Sequence, residues 1–299
     1  MSRPALLVFA VLLLASGPAA NLSAQIECSV AAIQARSSHG TTITTAAIVP
    51  AEGKRPQYCR VDGHATSSGN DVNFRLGLPD GWNGKFLFQG VGGLGGTIAN
   101  LDSSLARGYA AASTDTGHLS TDPDWGSNRA QEIDYGYRGT HVTAVASKAL
   151  TAAFYAKPVQ YAYFNGCSNG GRQAMMEVQR YPDDFDGIIA GSPAMDYTGA
   201  GIGHNHNQRT VLAAPIPPAK LSILAQAVLA QCDSQDGLVD GLVDLPDGCD
   251  FDPTVLTCPG GDAPACLTAA QVGAVAQVYA GPRTRRARSS TQVPYPVAK

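Results

Sequence analysis

Charge is scarce in this 299-residue chain. Its 21 Lys and Arg and 24 Asp and Glu make up 15% of the sequence, against about 25% in ordinary globular domains. That shortage excludes an acidic or basic disordered tail protein, which avoids collapse through high charge and low hydrophobicity. The net charge of −3 gives no positive field to attract nucleic acid, so no such partner is expected. Long apolar runs are also missing. The longest, from Ala5 to Ala15, falls short of the about 20 residues that a membrane span requires. No internal repeat is visible. Hydrophobic residues, at 44%, are plentiful enough to bury a real core. The 33 glycines speak for many tight turns rather than a coiled coil or helical bundle.

The amino terminus reads as an export signal. Arg3 precedes the apolar run, and Ser16-Gly17-Pro18-Ala19-Ala20 supplies the small residues of a cleavage region, so residues 1–24 are expected to be removed. A secreted or periplasmic protein follows, with cysteines in an oxidising environment. Cys232 and Cys249 bracket an acidic loop, and Cys258 and Cys266 bracket a Pro/Gly loop. Short loops close at low entropic cost, so these pairs are expected as disulfides, and Cys28 would then join Cys59. Cys167 is left unpaired.

Apolar spacing predicts alternating strands and helices: strands near 74–79, 85–89, 109–113, 160–164 and 185–190, helices over 101–107, 140–156 and 172–180. This order predicts an α/β sheet flanked by helices. From about Tyr197 the chain turns Pro-rich and cysteine-bracketed, with helices near 221–231 and 268–279. A first domain over 25–196 and a second over 197–283 are therefore expected.

The sharpest chemical signal is Gly166-Cys167-Ser168-Asn169-Gly170, a G-x-S-x-G between a predicted strand and a predicted helix. A nucleophilic serine uses this setting because the turn is too sharp for side chains two residues to either side. The next N–H, of Asn169, then faces a developing oxyanion at a helix start. An ordinary glycine turn is the plain alternative. The segment 90–96 has two readings besides an inert loop. Gly90, Gly92 and Gly95, with Asp115 following, match a dinucleotide fingerprint; equally, the loop can supply oxyanion N–H groups to Ser168. The second is favoured, because Gly93, Gly95 and Gly96 would burden a helix at that point.

Between Cys232 and Asp244, the side chains of Asp233, Asp236 and Asp240 share one short loop with Gly237 and Gly241. Hard oxygens gathered this way suit Ca²⁺, although the spacing departs from an EF-hand; a solvated acidic turn is the alternative. After Ser168 only His204 and His206 remain, both read as loop histidines. His118 is read as structural and His141 as a helix residue, so no general base is assigned.

Together, residues 166–174, the segment Ser113-Thr114-Asp115-Thr116-Gly117-His118 and the Cys232–Asp244 loop resemble the tannase/feruloyl esterase family. The resemblance extends from Cys28 to Arg283. It implies an α/β-hydrolase core, here incomplete, with a partial lid domain. It also implies a serine carboxylesterase acting on small aromatic, phenolic esters. Ser168 would be the nucleophile, with Asn169 and Gly92 (or Gly93) as oxyanion donors. Structural Ca²⁺ would be held by the side chains of Asp233, Asp236 and Asp240 and the carbonyls of Leu238 and Leu242. Cys232–Cys249 and Cys258–Cys266 match the family's lid disulfides. In the family the cysteine before the serine pairs with one directly after the catalytic histidine; this sequence has no His-Cys dipeptide. A C-terminally truncated chain without normal turnover is therefore expected, with residues 284–299 as a basic tail outside the family pattern. The alternatives are a non-catalytic remnant that binds phenolic esters and a dinucleotide-binding oxidoreductase. The oligomeric state is left open.

Overall fold

The computed structural model describes residues 26–283; the expected export signal (1–24) and the expected basic tail (284–299) lie outside the described residues. The chain divides into two compact units, Met1–Pro193 and Ala194–Lys299.

The first unit is a seven-stranded sheet. Its antiparallel part is formed by β1 (Thr41–Val49), β2 (Tyr58–Ser67) and β3 (Asn70–Pro79). The β2–β3 hairpin turns on Ser68 and Gly69 alone, at φ 44° and 90°, the two left-handed residues that match the twist of paired strands. Then follow β4 (Lys85–Gln89), β5 (Ala110–Thr114), β6 (Tyr161–Cys167) and β7 (Gly187–Gly191). The strand order is β1-β2-β3-β5-β4-β6-β7, with β5, β4, β6 and β7 parallel. After β4 the chain moves to one side, to β5; after β5 it crosses to the other side, to β6. The carboxyl ends of β4, β5 and β6 thus flank a topological switch point, where α/β sheets place their sites.

The helices of this unit are α1 (Val30–Gln34), α2 (Asp102–Leu105), α3 (Arg129–Ile133), α4 (Gly139–Tyr155) and α5 (Asn169–Arg180). A π-helical turn, Asp134–Arg138, joins α3 to α4. The main core packs Phe74, Leu76, Phe86, Phe88 and Phe164 with Leu150 and Phe154 of α4. A smaller cluster of Tyr58, Leu101, Leu105 and Ala111 gathers at α2. Cys28–Cys59 ties the segment before α1 to β2.

The second unit holds α6 (Tyr197–Ala213), α7 (Pro218–Cys232) and α8 (Ala269–Ala280). Its cores are small: Cys232, Cys249 and Phe251 in one, Leu267, Val272 and Val275 in the other. The disulfides Cys232–Cys249 and Cys258–Cys266 staple them. Among the described residues no single helix is long and apolar enough to cross a membrane; α6 and α7 meet that test only as a pair, bent by 117°.

One expectation fails here. Residues 197–213 form a helix, so His204 and His206 are not loop residues. This helix buries none of its residues and has no apolar stripe to betray it in the sequence. In the 90–101 segment no helix begins at the glycines, as the favoured reading requires; α2 starts only at Asp102.

Candidate active site

Ser168 stands between the last residue of β6 and the first of α5. Its backbone, at φ 58° and ψ −118°, is a conformation that side-chain-bearing residues avoid and that functional sites tolerate. The bend is fixed from both sides, since the Ser168 N–H donates to the Gly191 carbonyl at 2.9 Å and the Arg172 N–H to the Ser168 carbonyl at 3.0 Å. The side chain is exposed. The glycines of the motif have a steric cause: a Cβ on Gly166 would run into the backbone of Gly170, and one on Gly171 into the Gly191 carbonyl oxygen. Gly90, at the end of β4, meets Gly170 in the same way, with its Cβ position 3.0 Å from the Gly170 Cα. The glycine loop and the start of α5 therefore lie backbone to backbone.

Three side chains of α5 lock that approach. Asn169, fully buried, donates from Nδ2 to the Val91 carbonyl at 3.0 Å, and Gln173 Oε1 accepts from the Val91 N–H at 3.1 Å. Both backbone polar groups of one loop residue are thus held by the helix. Asn169 Oδ1 in turn accepts from Arg172 Nε at 2.8 Å and from the Tyr135 hydroxyl at 3.1 Å. Arg172 goes on to the carbonyls of Tyr135 and Gly136 in the π-turn, at 2.8 and 2.7 Å. π-turns concentrate at functional sites because they free carbonyls for such partners.

Beyond Val91 the loop bears Gly92, exposed, then Gly93, Gly95 and Gly96 at φ 60°, 75° and 78°. Three left-handed residues in four cannot start a right-handed helix, which removes the basis of the dinucleotide reading. Asp115, its proposed ribose-binding acid, is 2% exposed. Its carboxylate accepts from the Asn73 N–H and Nδ2 at 3.1 and 2.6 Å and from the Gly117 N–H at 2.8 Å. Burial pushes its pKa up to about 6 against these bonds. The residue builds the β5 turn.

His118 is buried, stacked on Trp125 at 4.0 Å and edge-on to Tyr135; burial pulls its pKa down, so the ring stays neutral. Among the described residues no histidine is hydrogen-bonded to Ser168. His141 is bonded to Asp184, His64 lies 3.7 Å from Asp71, and His206 reaches the Gln277 carbonyl at 3.0 Å. That last contact lines an open cavity of about 760 Å³ within the second unit. Cys167 is free and exposed.

In the acidic loop each carboxylate faces backbone N–H groups. Asp233 accepts from Asp240 and Gly241, Asp236 from Leu238 and Asp244, and Asp240 from Leu242, at 2.9–3.3 Å. Gly237 and Gly241, at φ 97° and 84°, make the reversals. The donors are hard oxygens, with Asp233 buried, Asp236 half-buried and Asp240 exposed, chemistry that fits Ca²⁺, and the carbonyls of Leu238 and Leu242 are within the same loop. The three carboxylates do not meet within 4.8 Å of one another; among the described residues only His141, Glu177 and Asp184 bring three side chains of ligating type that close.

Sequence reasoning missed the bracing roles of Asn169, Arg172 and Gln173 and the π-turn they hold. The available signal was position: Arg172 and Gln173 follow the glycines directly, where a polar pair on a buried helix start has no other purpose than to bind neighbouring backbone.

A mixed sheet whose parallel half carries a serine-bearing strand–helix turn at its switch point defines an α/β fold of the esterase type. A family model described as "Tannase and feruloyl esterase" matches residues 59–297, and the chain belongs to that family. It is 37% identical over 280 residues to an uncharacterized esterase of Xanthomonas campestris, with 87% of this chain and 49% of the relative covered. It is 33% identical over 276 residues to the mono(2-hydroxyethyl) terephthalate hydrolase of Piscinibacter sakaiensis, with 76% and 46% covered. The crystal structure of feruloyl esterase B from Aspergillus oryzae superposes with a TM-score of 0.70 at 29% identity, over 81% of this chain and 53% of that one. The chain spans about half the length of the curated relatives it matches.

Proposed function

We propose that this chain is the nucleophile-bearing part of a serine carboxylesterase for small aromatic, phenolic esters. The observation that carries the reading is the backbone of Ser168, bent at φ 58° between β6 and α5 and braced beside the glycine loop. The relatives' names, a feruloyl esterase and a terephthalate monoester hydrolase, support an aromatic acyl group.

Ser168 Oγ attacks the ester carbonyl, and the carbonyl oxygen takes the negative charge. The N–H groups of Asn169, first in α5 and without an intrahelical acceptor, and of Gly92 receive it. Collapse of the tetrahedral intermediate expels the alcohol and leaves an acyl-serine, which water hydrolyses. The proton of Ser168 needs a base, and none of the described histidines is bonded to it. Turnover by this chain alone is accordingly slow, by about 10⁴–10⁶-fold against a complete triad. The side chains of Asp233, Asp236 and Asp240 with the carbonyls of Leu238 and Leu242 would hold a structural Ca²⁺ that fixes the acidic loop and takes no part in the chemistry. Three disulfides support a secreted or periplasmic location.

The test is hydrolysis of methyl ferulate and methyl gallate by the purified chain and by Ser168→Ala, with fluorophosphonate labelling of both. Slow hydrolysis and labelling that vanish in S168A are expected. Equal rates in the two proteins, or a label elsewhere than Ser168, overturn the reading.

A further inference from the structure

Behind the serine turn, on the face of α5 that packs against α4, lies Glu177. It is 0% exposed, and neither carboxylate oxygen has a hydrogen-bond donor as partner. An ionised carboxylate in that position is costly, because burial removes its water and nothing replaces it. Its neighbour across the gap is another acid, Asp184. That carboxylate already has its partners: His141 Nδ1 lies 2.6 Å from Oδ2, and Lys148 Nζ lies 3.3 Å from Oδ1 and also bonds the Asp184 carbonyl. Burial works against an ionised Asp184, but the bonds from His141 and Lys148 outweigh it and hold its pKa below the ordinary range. The charged groups that act on Glu177 are Asp184 and Lys148, and those that act on Asp184 are His141 and Lys148; Tyr181, beyond the end of α5, stacks on His141 and faces Glu177, with Tyr137, Arg138 and Arg180 around it.

We propose that Glu177 and Asp184 share one proton, and that this acid pair, gripped by His141 and Lys148, is a positioning device that seats α5 and the serine turn at its start. Glu177 keeps its carboxyl proton and donates it to the ionised Asp184. One of the two orphaned oxygens thereby becomes an O–H donor with Asp184 as its acceptor, and Glu177 adds no second negative charge beside Asp184. Burial first, and the facing Asp184 second, push the Glu177 pKa up to about 9. A divalent metal would meet the same spacing, but Lys148 already brings the compensating positive charge to Asp184, and a proton completes the balance.

The linkage has a definite sign. Native Glu177 holds its proton up to about pH 9, whereas the unfolded side chain loses it near its ordinary value of 4.5. The contribution to stability is complete below the unfolded value and is lost as pH rises toward the folded one.

The experiment compares wild type, Glu177→Gln and Glu177→Ala in denaturant unfolding at pH 6, 7 and 8, with infrared spectra in the carboxylic-acid region and metal analysis of each preparation. Glutamine mimics the protonated acid without titrating. The folded-to-unfolded ratio of wild type relative to E177Q should fall about tenfold per pH unit, and wild type at pH 7 should show a carboxylic-acid carbonyl band that E177Q lacks. Amide hydrogen exchange over residues 169–173 should quicken in E177A and stay slow in E177Q, as a positioning role requires. Parallel pH curves without an acid band overturn the proposal. So does a stoichiometric divalent metal whose chelation destabilises the protein. Should either variant fail to fold, the wild-type acid band decides alone.

Discussion

Asn169 Nδ2 donates to the Val91 carbonyl oxygen at 3.0 Å, joining the first residue of α5 to the loop after β4 across 78 residues of sequence. The same amide accepts from Arg172 and Tyr135, so one buried side chain connects glycine loop, helix start and π-turn. Replacement by Ala leaves the Val91 carbonyl and the Arg172 guanidinium short of partners. A buried orphaned polar group costs about 1–3 kcal/mol, and Asn169→Ala is expected to lower stability by about 3 kcal/mol in urea unfolding. A loss below about 1 kcal/mol would show that the bridge is not structural.

Gly166→Ala places a methyl group against the Gly170 backbone, which has no flexible end to give way. Overpacking of this kind costs about 1–3 kcal/mol or more. The expected outcome is a lower unfolding midpoint and no Ser168 labelling, since the bend opens. Gly92→Ala, where nothing lies within 4 Å of the added carbon, should keep wild-type stability.

Calcium, bound as proposed, would act on the second unit. If the acidic loop binds it, saturation to 100 times the dissociation constant adds about 2.7 kcal/mol to stability. The midpoint should rise with Ca²⁺, return with chelator, and respond much less in Asp236→Asn. An unchanged midpoint in wild type would reduce the loop to a self-capped turn.

The Cys232–Cys249 bridge closes 17 residues and forms much of a core that otherwise has Phe251. The chain-entropy relation for a loop of that length gives about 3 kcal/mol. The Cys232→Ala/Cys249→Ala double variant should lose about that much, read from the unfolding of the second unit under non-reducing conditions.

Most of the parallel sheet was legible in the sequence, because β4, β5 and β6 are short apolar runs bounded by turn residues. α4 announced itself by its spacing: the predicted 140–156 compares with Gly139–Tyr155. The failures have local causes. β1, rich in Thr and Ala, alternates too weakly to be seen at an edge. α5 begins three residues before the predicted 172 because Gly170 and Gly171, poor helix formers, are required there by the contacts of their backbone.

What the amino-acid order determined by itself was local: the glycine spacing around Ser168, the acidic loop between its cysteines, and the family these motifs resemble. Each depends on neighbours within a few bonds, where sterics and turn chemistry act regardless of the remaining chain. Only the tertiary structure decided that Asp115 is a buried turn-builder, that Val91 is clamped at both its polar groups, and that Glu177 faces Asp184. Those outcomes depend on which distant segments exclude water from one another, and burial sets the cost of every unpaired charge.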